Sequence, residues 1–127
     1  MTAMTTTEST ANRDEQTMEK IDAGQFFGCE LRVGRVIEVE DFPEARKPAY
    51  KVAVDFGPAG ILHTSAQVTH YDHDSLKGRL VVGVVNLKPK RIAGFRSEFL
   101  LLGSFDAEGR AQLLAPAQGA TPGDLVG

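Results

Sequence analysis

The residues best suited to binding chemistry lie in one basic segment, Asn86–Glu98, and in the stretch just before it. From Lys77 to Arg96 the chain has six Lys or Arg residues and no acidic residue, although the whole 127-residue chain has a formal net charge of −3. Basic side chains can neutralise phosphates, and Phe95 among them can stack on a base or fill an apolar pocket. Because local charge matters more than the total, the segment predicts a binding loop. A solvated turn with Phe95 in the core is the alternative interpretation.

The histidines and the single cysteine give little support for metal or catalytic chemistry. His70 and His73 lie close together and His63 is nearby, but a structural zinc site needs four nitrogen or sulfur ligands at defined spacing. Cys29 has neither a second cysteine nor a nucleophile motif beside it, which is typical of a small buried hydrophobe. The turn Gly57–Gly60 lacks the Gly-Lys-Ser/Thr of a phosphate loop. We therefore expect no metal site, no cofactor and no enzymatic activity.

Length and composition predict one cytoplasmic domain. The chain has an ordinary globular composition, with 42% hydrophobic and 24% charged residues. One cysteine cannot form an intramolecular disulfide, which fits a reducing compartment. No apolar run approaches the roughly 18–20 residues that span a bilayer, so we expect no membrane insertion. Residues 1–16 also lack the basic and apolar regions of a signal peptide.

The N-terminal region divides into an arm and a short helix. Residues 1–20 are predicted to form a flexible arm, because they have too few apolar residues to offset the entropy of ordering. Residues 21–127 are predicted to form the domain. At its start, Asp22 can cap a short helix that includes Phe26 and Phe27 and that a glycine ends. So short a helix must pack on another surface, and a partner subunit is one candidate.

The remainder of the chain has the apolar alternation and turn signals of β-strands. In the first strand the odd-numbered residues, Ile37 among them, are expected to share one apolar face. The fourth strand is continuously apolar, which is typical of burial on both faces. The linker between the third and fourth strands is long enough for one or two helical turns. The predicted strands are Leu31–Asp41, Tyr50–Phe56, Ile61–Ser65, Leu80–Val85, Phe99–Phe105 and Ala111–Leu114.

This pattern predicts an all-β fold. Five or six short strands with little helix favour a small barrel over an open sheet, because closure removes exposed strand edges. We therefore predict a five-stranded OB-fold barrel with a short N-terminal helix and a C-terminal extension that carries a short extra strand. Barrels of this type bind oligonucleotides and other extended ligands on one sheet face.

Three separated stretches carry motifs in a fixed order: Leu31–Val36 (LRVGRV), Thr64–Gln67 (TSAQ) and Val85–Arg91 (VNLKPKR), with Ser97 beyond them. Together they resemble the tRNA-binding-domain family. That family includes the C-terminal domain of bacterial methionyl-tRNA synthetases and free-standing structure-specific tRNA-binding proteins. The resemblance covers about residues 22–127, which is nearly all of the predicted domain.

A sharper resemblance is carried by Phe42–Lys51 (FPEARKPAYK), Ser65–Gln67 (SAQ) and Arg91–Glu98 (RIAGFRSE). These stretches are similar to the CsaA branch of the family, which consists of small export-related chaperones. The tRNA-binding branch tends to have His-Pro-x-Ala-Asp-Lys-Leu and Ser-x-Gly-Met in the corresponding places. Here Phe42 and Arg46 replace the His and the Asp, which changes the polarity of the groove and favours the chaperone branch.

The resemblance implies a homodimer with a binding role, in which Phe26 and Phe27 belong to the interface. It implies two functions that stay open. One is a chaperone for unfolded or export-bound polypeptides, with preproteins and the export machinery as partners. The other is a structure-specific tRNA-binding protein that uses the same face. The residues expected to line that face are Phe42, Arg46, Ser65, Gln67, Asn86, Lys88, Arg91, Phe95, Arg96 and Ser97.

Overall fold

A computed structural model describes residues 18–127 of the chain. The predicted arm lies outside the described residues except for its last three, which are exposed. The elements in chain order are α1 (Ala23–Phe26), β1 (Leu31–Asp41), β2 (Tyr50–Asp55), β3 (Ile61–Ala66), α2 (His73–Leu76), β4 (Leu80–Val84), β5 (Lys90–Ile92), β6 (Phe95–Ser97), β7 (Leu100–Leu101), β8 (Gly103–Phe105), β9 (Ala111–Leu113) and β10 (Leu125–Val126). The short helix α1 that was predicted at Asp22 is therefore present.

The main sheet has the antiparallel strand order β3-β2-β1-β4-β7 and curls into a nearly closed barrel. Strand β10 adds beside the start of β1, and two hairpins, β5–β6 and β8–β9, extend from the barrel. The predicted all-β OB-fold barrel with its short N-terminal helix is thus confirmed. The short extra strand predicted in the C-terminal region corresponds to β9.

The apolar alternation of β1 is interrupted by a β-bulge between Val36 and Glu38. Because a bulge adds one residue to one strand, the side chains after it change faces. Val36 is buried and Ile37 is 43% exposed, so the expectation that Ile37 would join the apolar face was wrong. Leu31, Val33 and Val39 are buried, but Leu31 packs in a separate cluster with Val82 and Val84 and so does not share the core face of Val39.

The basic segment, the fifth strand and Cys29 differ from their predictions. The basic segment was expected to be a loop, but part of it pairs as the hairpin β5–β6. The predicted fifth strand is divided at Leu102, whose N–H donates to Val82 while its carbonyl accepts from Leu114. The chain therefore passes from pairing with β4 to pairing with β9. Cys29, expected to be a small buried hydrophobe, is exposed.

The core is built around the fully buried ring of Phe56. This ring packs edge-to-face on Phe99, with 5.0 Å between the centroids. It lies so close to the sheet backbone that a Cβ added at Gly34 or Gly83 would come within 2.8 Å or 2.9 Å of it. Real Cβ atoms essentially never approach other atoms so closely, so both strand positions require glycine.

We predict that Gly34→Ala destabilises the fold. The added methyl group would meet Val54 at 2.4 Å as well as Phe56, and overpacking of a core costs about 1–3 kcal/mol. Urea unfolding followed by circular dichroism measures the loss as a lower midpoint. Gly119→Ala is the matched control, because its added Cβ meets nothing within 4 Å. An unchanged midpoint for Gly34→Ala would contradict this account of the core.

Candidate ligand-binding face

Two loops meet on the outside of the barrel and define the candidate site. One loop joins β1 to β2 and contains Phe42, and the other leads from β4 through the hairpin β5–β6 and contains Phe95. The two rings pack edge-to-face with 5.5 Å between centroids. The ammonium of Lys51 lies 4.9 Å and 5.3 Å from the two centroids, within the range of a cation–π interaction. The two loops are therefore held together by an aromatic pair and a cation.

The aromatic pair is not equally accessible. Phe42 is only 4% exposed, whereas Phe95 is half-buried. The sequence placed both rings on the ligand face. The structure brings them together, but Phe42 lies beneath and supports the loop contact, so the accessible part of the pair belongs to Phe95.

A cavity of about 240 Å³, which we name the loop-side cavity, lies between the first loop and the hairpin. It brings together Arg46 from the loop and Ser65 and Gln67 from β3 and the residue after it, three of the predicted site residues. Its remaining lining is formed by Ala45, Lys47, Ala49 and Ile92. The positive side chains of Arg46 and Lys47 make its border electropositive, since no carboxylate of residues 18–127 forms an ion pair with either.

Ser97 is used in closing the barrel. The hydroxyl of the buried Thr64 donates its single hydrogen to the carbonyl of Phe99 at 2.8 Å. The Ser97 hydroxyl, 2.9 Å from that of Thr64, is therefore the donor between them, and it accepts from the Ser65 N–H at 3.3 Å. Ser97 thus positions β3 beside the hairpin, and most of its hydrogen-bonding capacity is already satisfied.

The two predicted arginines of the hairpin face away from the loop-side cavity. In the hairpin, Arg91 pairs with Arg96, and Ile92 pairs with Phe95. Because neighbouring residues of a strand point to opposite faces, the two arginines lie on the side opposite Ile92 and Phe95. Arg91 donates to the carbonyl of Gly94 at 3.0 Å, and Arg96 lies 3.7 Å from Glu98.

Lys88 and Asn86 precede the hairpin and differ in their use. Lys88 is exposed. The side-chain amide of Asn86 accepts from the N–H of Glu30 and donates to the carbonyl of Gly28, both at 2.8 Å. Asn86 therefore positions the segment that follows α1, and its predicted ligand contact stays a prediction.

The sequence did not identify a second cavity, of about 270 Å³, which we name the core-side cavity. It lies between the end of β3 and the strands β7–β9, and its lining includes Thr64, Ala66, Val68, Leu101, Ala111 and Leu113. The turn of the hairpin β8–β9 is held by Asp106, which accepts from the N–H groups of Glu108 and Arg110. The backbone hydrogen bond from Arg110 is the largest cause that lowers the pKa of this carboxyl.

The three histidines have separate partners. His63 lies 3.4 Å from Glu98, His73 lies 2.9 Å from Asp41, and His70 lies 2.8 Å from the carbonyl of Ala111. Across residues 18–127 no three His, Cys, Asp or Glu side chains form a group that could hold a metal ion. In the same residues no helix has the length and apolar content needed to cross a bilayer.

Comparison with known proteins identifies the family. Residues 31–125 match the family described as "Putative tRNA binding domain". The chain belongs to the tRNA-binding domain family. It is also 34% identical over 120 residues to a methionine–tRNA ligase from Methanocaldococcus jannaschii, which covers 91% of this chain and 18% of the ligase. The chain thus spans less than a fifth of that enzyme, and the match concerns a small part of it.

Solved structures give a match along the whole fold. A CsaA chaperone protein from Picrophilus torridus is 43% identical, with a TM-score of 0.81 over 85% of this chain and 100% of that chain. A CsaA chaperone from Bacillus anthracis is 39% identical, with a TM-score of 0.81 over 86% of this chain and 100% of that chain. The similarity to CsaA that three sequence motifs predicted is therefore confirmed.

We predict that Asn86→Ala loosens the segment after α1. The substitution removes two hydrogen bonds, each of which contributes about 0.5–1.5 kcal/mol. Hydrogen–deuterium exchange of the peptide that spans residues 23–30 should become faster. Asn86→Asp, which keeps the acceptor and loses the donor, should give an intermediate rate. Exchange that stays at the wild-type rate in both variants would show that Asn86 has no such role.

Proposed function

We propose that the protein is a CsaA-like homodimeric chaperone that binds unfolded or export-bound polypeptides in the cytoplasm. The observation that carries this proposal is the correspondence with two CsaA chaperones, each covered over its full length by this chain. The binding face supports it, because the face has two cavities and a partly exposed aromatic ring beside positive charge. Binding of unfolded chains without a nucleotide cycle would make the protein a passive holdase.

The proposed homodimer is supported by an apolar surface at the two ends of the described chain. Phe26 and Phe27 are 43% and 66% exposed, and no residue of α1 is buried. Leu125 of β10, which pairs with the start of β1, is 65% exposed. Exposed apolar patches on a small domain are typical of interaction sites. A second copy of the chain would cover this one.

The alternative function is structure-specific tRNA binding. Its specific support is the family match and the pair Arg91–Arg96, two like charges placed opposite each other on the hairpin. Like charges opposite each other in a sheet are destabilising, and a phosphate between them would relieve the repulsion. The exposed Lys88 would add a further phosphate contact.

Fluorescence anisotropy tests both functions in one design. A labelled segment of an unfolded preprotein and a labelled unmodified tRNA are each titrated with the protein across a salt series. We expect peptide binding that depends weakly on salt. Affinity for tRNA would fall by roughly 0.7–0.9 log units per phosphate contact for each log unit of salt. Salt-steep tRNA binding without a peptide signal would overturn the chaperone proposal in favour of the alternative.

The double substitution Lys88→Ala and Arg91→Ala should abolish any tRNA binding and leave the peptide titration unchanged. The matched control replaces Lys20 and Arg35 with Ala, which removes the same charge from exposed positions outside the basic segment. If tRNA binding survives the first double substitution at physiological salt, the hairpin does not carry it.

The double substitution Phe26→Asp and Phe27→Asp should dissociate the dimer, because it places two carboxylates in the apolar surface. Sedimentation velocity would then give the coefficient of a monomer. Ile37→Asp with Ile61→Asp is the control, since both isoleucines are exposed at other positions. An unchanged coefficient in the phenylalanine variant would rule out this interface.

A further inference from the structure

Half of the backbone groups of β3 point away from β2. The N–H of Phe56 donates to the carbonyl of Gly60 at 2.9 Å and closes the β2–β3 hairpin. In an antiparallel ladder the hydrogen-bonded pairs then recur at every second residue, as in Val52–Thr64 and Tyr50–Ala66. The intervening residues of β3, which include His63 and Ser65, therefore direct their N–H and C=O groups to the opposite edge.

The first part of that edge is occupied and the second part is open. The carbonyl of His63 accepts from the N–H of Glu98 at 2.7 Å, its N–H donates to the Glu98 carboxylate at 2.9 Å, and the Ser65 N–H donates to Ser97. Beyond this point the carbonyl of Ser65 has only a 3.4 Å contact with the neighbouring Thr64 hydroxyl. The backbone of Gln67 makes no hydrogen bond within residues 18–127.

The open groups have the spacing that an added strand requires. A residue of a parallel strand donates to one carbonyl of its neighbour and accepts from the N–H two residues further on. The carbonyl of Ser65 and the N–H of Gln67 form such a pair. The Ser65 N–H is already bonded to Ser97, which favours parallel addition around Ala66 over antiparallel addition at Ser65.

The two cavities lie on opposite faces of this edge, and Ser65 and Gln67 line both. The core-side cavity includes the inward-facing Thr64 and Ala66, whereas the loop-side cavity lies on the face of Arg46 and Ile92. Because adjacent residues of a strand point to opposite faces, successive side chains of an added strand would enter alternate cavities. Both volumes are below the roughly 300–1,000 Å³ of a small-molecule site, and so each suits a single side chain.

The linings differ in chemistry. Val68, Leu101 and Leu113 give the core-side cavity an apolar inner part, beside the polar side chains of Thr64 and Gln67. Arg46 and Lys47 give the loop-side cavity two cations that pair with no carboxylate in the described part of the chain. The first cavity therefore suits an aliphatic or aromatic side chain, and the second suits an acidic one.

We infer that the protein binds an extended polypeptide by adding it as a strand to the open edge of β3 at Ser65–Gln67, and that the bound segment alternates apolar with acidic residues. The inference rests on the proposed polypeptide-binding function and specifies where and what it binds. Backbone hydrogen bonds supply affinity in this mode of recognition, and the pockets for alternate side chains supply sequence preference.

The test uses a labelled nonapeptide of alternating leucine and glutamate, titrated by fluorescence anisotropy, with each backbone amide N-methylated in turn. N-methylation removes the donor and adds bulk at the strand edge. We expect every second N-methyl group to weaken binding by about tenfold or more, the loss of one well-placed hydrogen bond with added steric cost, and the intervening ones to change it little. Equal effects at all positions, or no effect at any, would overturn the added strand.

Substitutions in the protein test the same edge. Gln67→Pro removes the N–H of residue 67, and Gln67→Ala keeps it while removing the side chain. We expect Gln67→Pro to weaken binding of the nonapeptide about tenfold and Gln67→Ala to change it much less. Equal loss in both variants, with wild-type thermal melting, would contradict the inference. If Gln67→Pro fails to fold, the N-methyl scan on the wild-type protein decides.

A charge exchange tests the loop-side cavity. A nonapeptide of alternating leucine and lysine should bind more weakly than the leucine–glutamate peptide, and Arg46→Glu should reverse that order. No change of order would overturn the acidic preference.

The preprotein titration distinguishes failure of the strand-addition inference from failure of the proposed polypeptide-binding function. If the preprotein segment binds and the N-methyl scan is flat, the edge inference fails alone, whereas if neither ligand binds, the proposed function fails with it.

Discussion

Closure of the barrel beside β3 depends on side chains, and the binding face depends on that closure. A closed barrel would normally continue its backbone ladder across this gap. Here the buried Thr64 hydroxyl, Ser97 and Glu98 bridge it, joined by a single backbone bond from Glu98 to His63. A buried hydroxyl must be hydrogen-bonded, so Thr64 fixes the position of Ser97 and with it the end of the hairpin β5–β6. These hydrogen bonds extend along β3 as far as the Ser65 N–H, and the open edge begins at the Ser65 carbonyl.

The aromatic contact between the two loops borders the open edge of β3 on the side of the loop-side cavity. Phe95 reaches across from the hairpin to Phe42, and Lys51 of β2 lies over both rings. The contact joins the loop that contains Arg46 to the hairpin that contains Ile92, and both residues line the loop-side cavity beside Ser65. The phenylalanines that the sequence offered as ligand contacts thus act first by shaping the loop-side cavity, and only Phe95 keeps accessible surface.

Local patterns predicted the parts of the fold that local forces determine. Strands β2 and β4 were predicted correctly, because the burial of most of their residues leaves a clear apolar pattern in each stretch of sequence. The bulge at Ile37 was not predicted, because it depends on how β1 pairs with β2. The hairpin β5–β6 was not predicted, because its many basic residues favoured a solvated loop. The core-side cavity was not predicted either, because its lining residues Val68 and Leu113 lie far apart in the sequence. Motif resemblance identified the family but did not reveal that the Asn86 amide bonds the segment after α1, because a motif does not show which partner an amide bonds.

The hairpin β5–β6 has different side chains on its two faces. Arg91 and Arg96 occupy one side, and Ile92 and Phe95 occupy the other together with Lys90 and Ser97. A polyanion and an extended peptide would therefore contact opposite faces of the same short element. Substitutions on one face can change affinity for one ligand while the barrel and the other face stay intact.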